Sequence, residues 1–420
     1  MDSPQADELF SALYGADELE DARQRYSRLI STEAGELRVF SVPGRTELGG
    51  NHTDHNRGKV LAASIHLDAV AVVTPMQDRQ VILRSTGYRD LKVDLSDLSP
   101  REEERGNTRA LIRGVASEFA ARNVPVGGFT INVDSRVLTG SGLSSSAAVE
   151  VLFAKIFDNL YSDGKMSALE LAKIGQKAEN IYFGKPCGLM DQTACASGGV
   201  VAIDFEDTQN PQVRNIHFDP AAAGINLCIV DSKASHANLT PDYAAIPEEM
   251  KAVAAFFGKS VLRELDEETF HAANLAILRK TAGDRAVLRA MHFFDENNRV
   301  DAMLAALEEK AIEKFLDLVN ESGDSSWQLL QNINSPKNPA EQGIGLALAL
   351  TKNFLKQSIG ACRVHGGGFA GTIQAYIPID RIEDYKKLIE SVFGNGTLTV
   401  LRVRPIGATE LVFLTMNKKL

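Results

Sequence analysis

Apolar and polar positions along the chain follow two periods, one typical of strands and one typical of helices. Residues 129–133 alternate apolar and polar side chains, which indicates a half-buried strand. From Val149 to Leu160, apolar residues recur at intervals of three and four, which predicts a helix that begins near the preceding serines and buries one face. Between these two elements lies the segment GSGLSSSAA, from Gly140 to Ala148. The pattern therefore predicts a strand, a glycine-rich turn and a helix in succession.

Further strands and helices are predicted on both sides of this unit. The predicted strands are 37–42, 69–74, 200–205, 225–230, 370–378, 396–403 and a final ELVFL at 410–414. The predicted helices cover the first 26 residues, 107–122, 167–183, 247–265, 269–280, 285–318 and 343–356. Two segments rich in turn residues, 43–58 and 184–200, are expected to be loops. Strands and helices mixed in this way indicate the α+β class.

A chain of 420 residues exceeds the size at which one hydrophobic core usually keeps growing, so we expect two domains. The turn signal at Asn210–Gln212 favours a division into residues 1–208 and 209–420. Apolar segments are interrupted too often for a membrane span of about 20 residues, and the N-terminus lacks the basic and apolar regions of a secretory signal. We therefore expect a cytoplasmic globular protein without a membrane partner, either a monomer or a weak homo-oligomer.

Net charge and cysteine usage exclude several classes of partner and site. The formal charge of −10 argues against nucleic acid as a partner, because binding it requires clustered Lys and Arg. The four cysteines form neither a CxxC pair nor a regular disulfide framework, so we expect reduced thiols. His52 and His55 are three residues apart, but no second Cys or His pair accompanies them, which argues against a zinc site.

The glycine-rich turn has the composition of an anion cradle. Gly140 and Gly142 allow the backbone to approach a ligand closely, and the serines at 144–146 supply hydroxyl groups. Unpaired amides at the start of the following helix attract an anion, and the helix dipole adds to this attraction. The turn by itself is equally compatible with an ordinary connection between a strand and a capped helix.

Four motifs occur in a fixed order: PGRTELGGNHTDHNRGKVL from Pro43, GSGLSSSAA from Gly140, GLMDQ from Gly188, and VHGGGFAGT from Val364. In this order and spacing they resemble the GHMP small-molecule kinases, and among these the galactokinases most closely. The resemblance covers the chain from about Arg38 onward. It implies a two-domain α+β fold, with mixed sheets packed with helices and an active site in the interdomain cleft.

The resemblance also implies how ATP and Mg²⁺ are bound. The ATP phosphates would contact the turn residues Gly140, Ser141, Gly142, Leu143, Ser144, Ser145 and Ser146. Ser146 and Glu179 would be the protein ligands of Mg²⁺. These assignments make chemical sense, because Mg²⁺ prefers hard oxygen ligands and usually completes its shell with phosphates and water. Without the resemblance, Glu179 would be read as part of the solvated face of a helix.

By the same resemblance, Asp191 is the carboxylate beside the attacking sugar hydroxyl and Arg45 is the cation that faces it. Asp191 would accept the hydroxyl proton, while Arg45 keeps that carboxylate ionised and stabilises charge on the transferred phosphoryl group. Arg45 is also expected to lower the pKa of Asp191. The alternative for this pair is an ion pair that only joins two loops.

The sugar-binding motif departs from the family pattern. Galactokinases have GEHTDY, whereas this chain has Gly50-Asn51-His52-Thr53-Asp54-His55, so a neutral amide stands where the family has a glutamate that accepts hydrogen bonds from sugar hydroxyls. Glu47 and Gly49 replace the usual Asn and Ile of the preceding turn, and Glu47 could restore a carboxylate nearby. Asp54 is retained, and Tyr243 occupies the place of the sugar-contacting tyrosine of the family. The expected sugar-binding residues are Asn51, His52, Thr53, Asp54, Tyr243 and Glu47.

Three hypotheses about function follow from this resemblance. The leading one is a sugar 1-kinase that uses ATP and Mg²⁺ and has galactose as its acceptor. The second keeps the reaction but changes the sugar, because loss of a carboxylate at Asn51 removes repulsion against an acidic substituent such as that of galacturonate. The third is a sugar sensor without activity, against which the retained Asp191, Arg45 and Ser146 argue. In each case the partners are small molecules.

Overall fold

The computed structural model describes residues 4–31, 36–138, 140–234 and 239–411. The strands are β1 Arg38–Gly49, β2 Lys59–Pro75, β3 Gln80–Ser85, β4 Leu91–Asp94, β5 Phe129–Ser135, β6 Val200–Asp204, β7 Gln212–Ile216, β8 Ile225–Asp231, β9 Ala361–Val364, β10 Thr372–Pro378, β11 Leu398–Leu401 and β12 Thr409–Leu411. The helices are α1 Pro4–Tyr14, α2 Leu19–Ser31, α3 Thr108–Ala120, α4 Ser145–Tyr161, α5 Ala168–Lys177, α6 Met190–Ser197, α7 Thr240–Phe256, α8 Glu267–His271, α9 Leu275–Ala282, α10 Asp284–Glu308, α11 Ile312–Ser325, α12 Gly343–Leu355 and α13 Ile382–Phe393.

The strands form two sheets. The larger has the order β12-β1-β2-β5-β3-β4, with β6 pairing to both β2 and β7. Its strands are antiparallel except that β3 and β5 run parallel, so it is a mixed sheet. The smaller sheet is antiparallel and has the order β11-β8-β10-β9. Two sheets packed with helices confirm the expected α+β class.

The predicted strand, turn and helix around the glycine-rich segment are confirmed. Residues of the predicted apolar stripe of α4, among them Leu152, Phe153, Ile156 and Phe157, have no exposed surface. They pack in a hydrophobic core that α3 and α5 share with β1, β2 and β5. Burying each such side chain contributes about 1.5–3 kcal/mol, so this core fixes the start of α4 beside the end of β1.

The first expected loop, 43–58, is largely strand. β1 continues through Pro43 to Gly49, and only residues 50–58 form the turn before β2. The register between β1 and β2 shifts at Pro43/Arg45 and again at Glu47/Gly49, so the proline and glycines are accommodated at bulges. Every residue of β1 after Arg38 is buried, and this burial outweighs the turn composition of the segment.

The second expected loop, 184–200, contains the helix α6 from Met190 to Ser197. Glycines flank this helix on both sides, at Gly184 and at Gly198–Gly199, so the composition of the whole segment indicated a loop. The N-terminal stretch forms two helices rather than one, because Gly15 adopts a positive φ of 76° between α1 and α2. The predicted helix 285–318 likewise divides into α10 and α11 near Lys310, whose φ is also positive.

Other differences concern element ends and short elements. The helix expected at 247–265 is α7, which starts earlier and ends at Phe256, and the helix expected at 269–280 is divided between α8 and α9. Strands β3, β4, β7 and β9 and helix α13 were not predicted from the sequence. The last strand is described only to Leu411, so the rest of the predicted ELVFL lies outside the described residues. The expected division after residue 208 stays a prediction; it falls between β6 and β7, which pair with each other.

Candidate active site

Arg45 and Asp191 form a bidentate ion pair at the junction of β1 and α6. The Arg45 Nε and Nη2 atoms donate hydrogen bonds to Oδ1 and Oδ2 of Asp191, at 2.8 and 2.7 Å. The side chain of Arg45 is 8% exposed, whereas that of Asp191 is 32% exposed. Asp191 stands in the first turn of α6, where the helix dipole favours a negative charge. The pair therefore holds a carboxylate in a fixed orientation while one side of it stays open.

The environment of Asp191 keeps its carboxylate ionised. Burial by itself would raise the pKa of Asp191, but the charge of Arg45 and the hydrogen bonds from Arg45 and Ser144 outweigh burial and lower it below its ordinary value. Ser144 donates its hydroxyl to Oδ2 of Asp191. A third donor of Arg45, Nη1, is bonded to the carbonyl oxygen of Gly142. The ion pair is therefore tied directly to the glycine-rich turn.

The glycine-rich turn precedes α4 in a strained conformation. Gly140 and Gly142 have φ values of 78° and 74°, and Ser144 lies in the left-handed region with a φ of 59°. Ser145 and Ser146 begin α4, with partly exposed side chains. The side chain of Leu143 is completely buried in the main core, so only its backbone could meet a ligand. This geometry leaves amides and serine hydroxyls at a helix start, as an anion site requires.

A cavity of about 310 Å³ opens beside Asp191. It is lined by Arg45, Glu47, Asn51, His52, Asp54, His55, Lys185, Pro186, Cys187, Gly188, Met190, Asp191, Tyr243, Gly366 and Gly367. Its walls come from β1 and the turn after it, from the segment before α6, from α7, and from the glycine motif between β9 and β10. Residues far apart in the sequence thus meet at one polar cavity of a size suited to a small ligand.

Asn51 is enclosed by hydrogen bonds to the protein. Its side-chain Nδ2 donates to Oε1 of Glu47 at 3.1 Å and to the carbonyl of Gly366 at 2.8 Å. Its Oδ1 accepts from Nδ2 of Asn332 at 2.8 Å and from the hydroxyl of Ser326 at 3.5 Å. The residue is 1% exposed. These contacts fix the orientation of the amide, because acceptors surround its nitrogen and donors surround its oxygen.

Glu47 is hydrogen-bonded to Asn51 and paired with Arg363. Nη2 of Arg363 donates to Oε1 of Glu47 at 2.5 Å, and the two side chains are 0% and 5% exposed, respectively. Burial raises the pKa of Glu47, and the charges of Arg363 and Arg45 oppose that increase only in part. The structure therefore brings a carboxylate to the cavity wall four residues before Asn51.

The other residues expected in the sugar motif divide into two groups. His52 lines the cavity and donates from Nε2 to the carbonyl of Gly367 at 3.0 Å; burial lowers its pKa to about 4. Asp54 also lines the cavity, and its Oδ1 accepts from the amide of His55 at 2.9 Å. Thr53 is completely buried beneath the turn and donates to the carbonyls of Gly50 and Lys59, so the structure does not bring it to the cavity wall.

Tyr243 reaches the cavity from the first half of α7. Its hydroxyl donates to the carbonyl of Gly368 at 3.0 Å, and its ring packs edge-on against Phe369 at a centroid distance of 5.4 Å. A side chain at Gly367 would meet the Tyr243 ring at 2.6 Å, so glycine is required there. The glycine motif between β9 and β10 thus packs against Tyr243.

A cluster of carboxyl groups lies on the other side of α6. Glu179 is 2% exposed; its Oε2 accepts from Nε2 of Gln192 at 3.2 Å, and its Oε1 lies 3.3 Å from Nζ of Lys185. The same Gln192 nitrogen donates to Glu150 at 2.8 Å. Burial and the neighbouring Glu179 raise the pKa of Glu150 to about 9, and its buried Oε1 has no hydrogen-bond partner among the described residues.

The donor chemistry of this region fits a hard divalent cation. Glu179 offers carboxylate oxygens, and Ser146 offers a hydroxyl at the start of α4. Across the described ranges, no group of three or more His, Cys, Asp or Glu side chains is arranged to hold a metal ion by itself. A cation here would therefore take its remaining ligands from phosphate oxygens and water, as Mg²⁺ usually does.

Several residues at the site lack a sequence prediction. Lys185 and Cys187 line the cavity, and their nearness to Asp191 in the sequence could have indicated them. Apart from Glu47, the partners that hold Asn51 come from distant elements and carry no local signal. Besides those already described, Glu296 on α10 accepts hydrogen bonds from the amides of Gly50 and Asn51 at 3.0 and 3.4 Å, and His292 bonds to the Asn51 carbonyl at 2.9 Å.

Family models match two parts of the chain. The model of the GHMP kinase N-terminal domain matches residues 110–199, which include the glycine-rich turn and Asp191. The model of the galactokinase galactose-binding signature matches residues 24–75, which include Arg45 and the turn at Asn51. Three of the four motifs therefore fall within matched segments, whereas VHGGGFAGT from Val364 lies outside them.

Characterised proteins resemble the chain over most of its length. The galactokinase of Streptomyces coelicolor is 31% identical over 368 residues, which cover 87% of this chain and 91% of that protein. The galactokinase of Glaesserella parasuis serovar 5 is 32% identical over 379 residues, with the same coverage of 87% and 91%.

Solved structures share the fold. The crystal structure of Lactococcus lactis galactokinase complexed with galactose matches with a TM-score of 0.77 at 24% identity, covering 94% of this chain and all of that one. The mevalonate kinase of Methanococcus jannaschii matches with a TM-score of 0.61 at 16% identity, covering 88% and 99% of the two chains. No helix in the described ranges combines the length and apolar character that crossing a membrane requires. Relatives at 31% and 32% identity along most of its length show that this chain, a sugar kinase, belongs to the galactokinase family of the GHMP kinases.

Proposed function

We propose that this sugar kinase transfers the γ-phosphoryl group of ATP to the anomeric hydroxyl of galactose, giving ADP and galactose 1-phosphate, with Mg²⁺ as the cofactor. The observation that carries the proposal is the bidentate Arg45–Asp191 pair, which is hydrogen-bonded to the glycine-rich turn and faces the polar cavity. Through this pair, one carboxylate lies next to both the proposed anion site and a cavity large enough for a sugar.

Asp191 is the proposed general base. Its lowered pKa keeps it ionised at neutral pH, and one side of its carboxylate faces the cavity, where a sugar hydroxyl can approach. It accepts the proton as the hydroxyl oxygen attacks the γ-phosphorus of ATP. Arg45 holds the carboxylate in position and stabilises negative charge on the phosphoryl group, so most of the catalysis is positioning and electrostatics.

The glycine-rich turn is the proposed phosphate site. Residues Gly140 to Ser146 present amides and hydroxyls at the start of α4, where the helix dipole favours the polyphosphate. Ser146 and Glu179 would hold Mg²⁺, which when bound neutralises charge on the phosphate oxygens. Lys185 already pairs with Glu179 and would add a positive charge at the same place.

The sugar would occupy the cavity of about 310 Å³. Asp54, His52 and Tyr243 supply its polar wall, and Glu47 lies deepest among the carboxylates. We also propose that the active site lies between two domains, divided near residue 208, because the cavity takes Arg45 and Asp191 from one half and Tyr243 and Gly367 from the other. Cytoplasmic location and a monomer or weak homo-oligomer remain parts of the proposal.

A panel of acceptor sugars tests the proposal. The purified chain is incubated with ATP, Mg²⁺ and one acceptor at a time. The acceptors are galactose, glucose and galacturonate, with mevalonate as a non-sugar control. Formation of ADP and of the phosphorylated acceptor is measured. We expect turnover with galactose and none without Mg²⁺. Turnover with galacturonate alone would show that the acceptor is galacturonate and not galactose. Binding of galactose without formation of ADP would show that the protein is a sugar sensor.

A further inference from the structure

The side chain of Asn51 has no hydrogen-bonding capacity left for a ligand. Both hydrogens of Nδ2 are given to Glu47 and Gly366, and Oδ1 accepts from Asn332 and Ser326. The backbone of the same residue is also held, with its amide on Glu296 and its carbonyl on His292. A sugar hydroxyl could bond to this amide only by breaking a bond that the protein already makes, which leaves a buried polar group unpaired.

Glu47 has the opposite arrangement. Its Oε1 accepts from both Arg363 and Asn51, whereas its Oε2 accepts no hydrogen bond within the described residues. Glu47 lines the cavity although its side chain is only 5% exposed. One oxygen is therefore anchored and the other is left for a group that enters the cavity.

The two residues together reverse the arrangement that the family pattern implies. That pattern has an asparagine at the position of Glu47 and a glutamate at the position of Asn51, and here the amide and the carboxylate have exchanged places. In this chain the two side chains are hydrogen-bonded to each other at 3.1 Å, and the negative charge stands at position 47, where it pairs with Arg363. The residues at positions 47 and 51 therefore have to be interpreted together.

We propose that Glu47 is the carboxylate that binds a sugar hydroxyl in this enzyme and that Asn51 is a positioning residue that orients it. This rests on the proposed sugar kinase function and deepens it. The acceptor presents a hydroxyl to Oε2 of Glu47, because a carboxylate accepts hydrogen bonds and cannot donate them. The acceptor is therefore a neutral aldose such as galactose, since a uronate carboxylate placed at this wall would face Glu47 and meet like charge.

Deoxygenated substrates test the proposal without relying on absolute activity. Wild type and Glu47→Gln are assayed with galactose and with each of its 2-, 3-, 4- and 6-deoxy derivatives, and the ratio of kcat/KM for galactose to that for each derivative is recorded. We expect the ratio at one carbon to fall by roughly tenfold in the variant, because hydrogen bonds to a charged acceptor are about twice as strong as neutral ones. The ratios at the other carbons should stay within about twofold.

Glu296→Gln is the matched control. Glu296 is a fully buried glutamate that binds the amides of the same turn, but it does not line the cavity. Its replacement should change the activity toward all five sugars by one common factor. If Glu47→Gln also lowers all activities by a common factor, then Glu47 only pairs with Arg363 and the proposal is overturned.

A second measurement covers the case in which Glu47→Gln does not fold, since Arg363 would lose its carboxylate partner. A crystal structure of the wild-type enzyme with the best neutral sugar of the panel should place a sugar hydroxyl within hydrogen-bond distance of Glu47 Oε2, with the Asn51 contacts intact. A hydroxyl bonded to Asn51 instead would overturn the assignment. If no sugar is phosphorylated by wild type, the proposed function fails, which is a different result from unchanged ratios in an active enzyme.

Discussion

Asp191 accepts two hydrogen bonds from the guanidinium of Arg45, at 2.8 and 2.7 Å, although the two residues are 146 positions apart in the chain. Two parallel bonds fix both the distance and the plane of the carboxylate, which a single bond would not do. The same guanidinium is bonded to the carbonyl of Gly142. One side chain thus sets the proposed base in place relative to the proposed phosphate site.

Replacing Asp191 with asparagine should abolish most of the turnover. The variant keeps the shape of the side chain but cannot accept the proton, so we expect kcat to fall by about 10²- to 10⁴-fold with little change in sugar KM. Steady-state assays with galactose and ATP measure both constants. Asp301→Asn is the control, because Asp301 is 54% exposed and pairs with Lys59 outside the cavity. Near wild-type kcat in Asp191→Asn would show that another group is the base.

Replacing Arg45 with methionine should shift the pH dependence of activity. In wild type the charge of Arg45 lowers the pKa of Asp191 below its ordinary value of 3.8, so Asp191 stays deprotonated, and active as a base, until the pH falls below that value. Without the arginine, only Ser144 and Lys185 still oppose the effect of burial, so the pKa of Asp191 rises and the acidic limb of kcat/KM should move upward by at least about one unit. Assays from pH 4 to pH 8, with folding checked by circular dichroism, measure this limb. A variant with lower activity but an unmoved limb would contradict the prediction.

Replacing Glu179 with glutamine should raise the Mg²⁺ concentration needed for half-maximal activity. The substitution removes one anionic ligand of the metal. Removing a residue that only orients a metal ligand lowers metal affinity by roughly 10- to 100-fold, so we expect the required Mg²⁺ concentration to rise at least that much. Activity is titrated with Mg²⁺ at fixed ATP. Glu321→Gln provides the comparison, since that side chain is 63% exposed. An unchanged titration curve would remove Glu179 from the metal site.

His365 should make the folded state sensitive to acid. Its ring is 3% exposed between Thr46 and Thr372, and burial lowers its pKa from 6.5 to about 3. Between these two values the unfolded chain binds a proton that the folded chain does not, so the stability contribution of the neutral ring is present above pH 6.5 and decreases as the pH falls. From pH 7 to pH 5 this loss amounts to about 2 kcal/mol.

The measurement is a comparison of urea unfolding for wild type and His365→Gln at both pH values. The variant will be less stable at pH 7 because it loses packing, but it should lose about 2 kcal/mol less than wild type on going to pH 5. Equal losses in the two proteins would mean that His365 does not remain neutral in the folded state.

The amino-acid sequence by itself determined which elements surround the glycine-rich turn and which residues are candidates for the site. The apolar periods around Gly140–Ala148 predicted the strand, turn and helix, because they reflect local geometry that each element needs in order to bury one face. The order of the four motifs identified Arg45 and Asp191, because residues that act on phosphate and sugar are constrained in type as well as in spacing. The resemblance also implied that these two residues face each other, and the structure forms that pair.

Only the tertiary structure decided how the altered sugar motif is arranged. The sequence shows that Asn51 and Glu47 are unusual, but their partners Arg363, Gly366 and Asn332 lie 281 to 316 positions away along the chain. Such contacts leave no local pattern, since a hydrogen bond depends on distance in space and not on spacing in the chain. The same limit explains the extension of β1 to Gly49, where burial between neighbouring strands outweighed a sequence rich in turn residues.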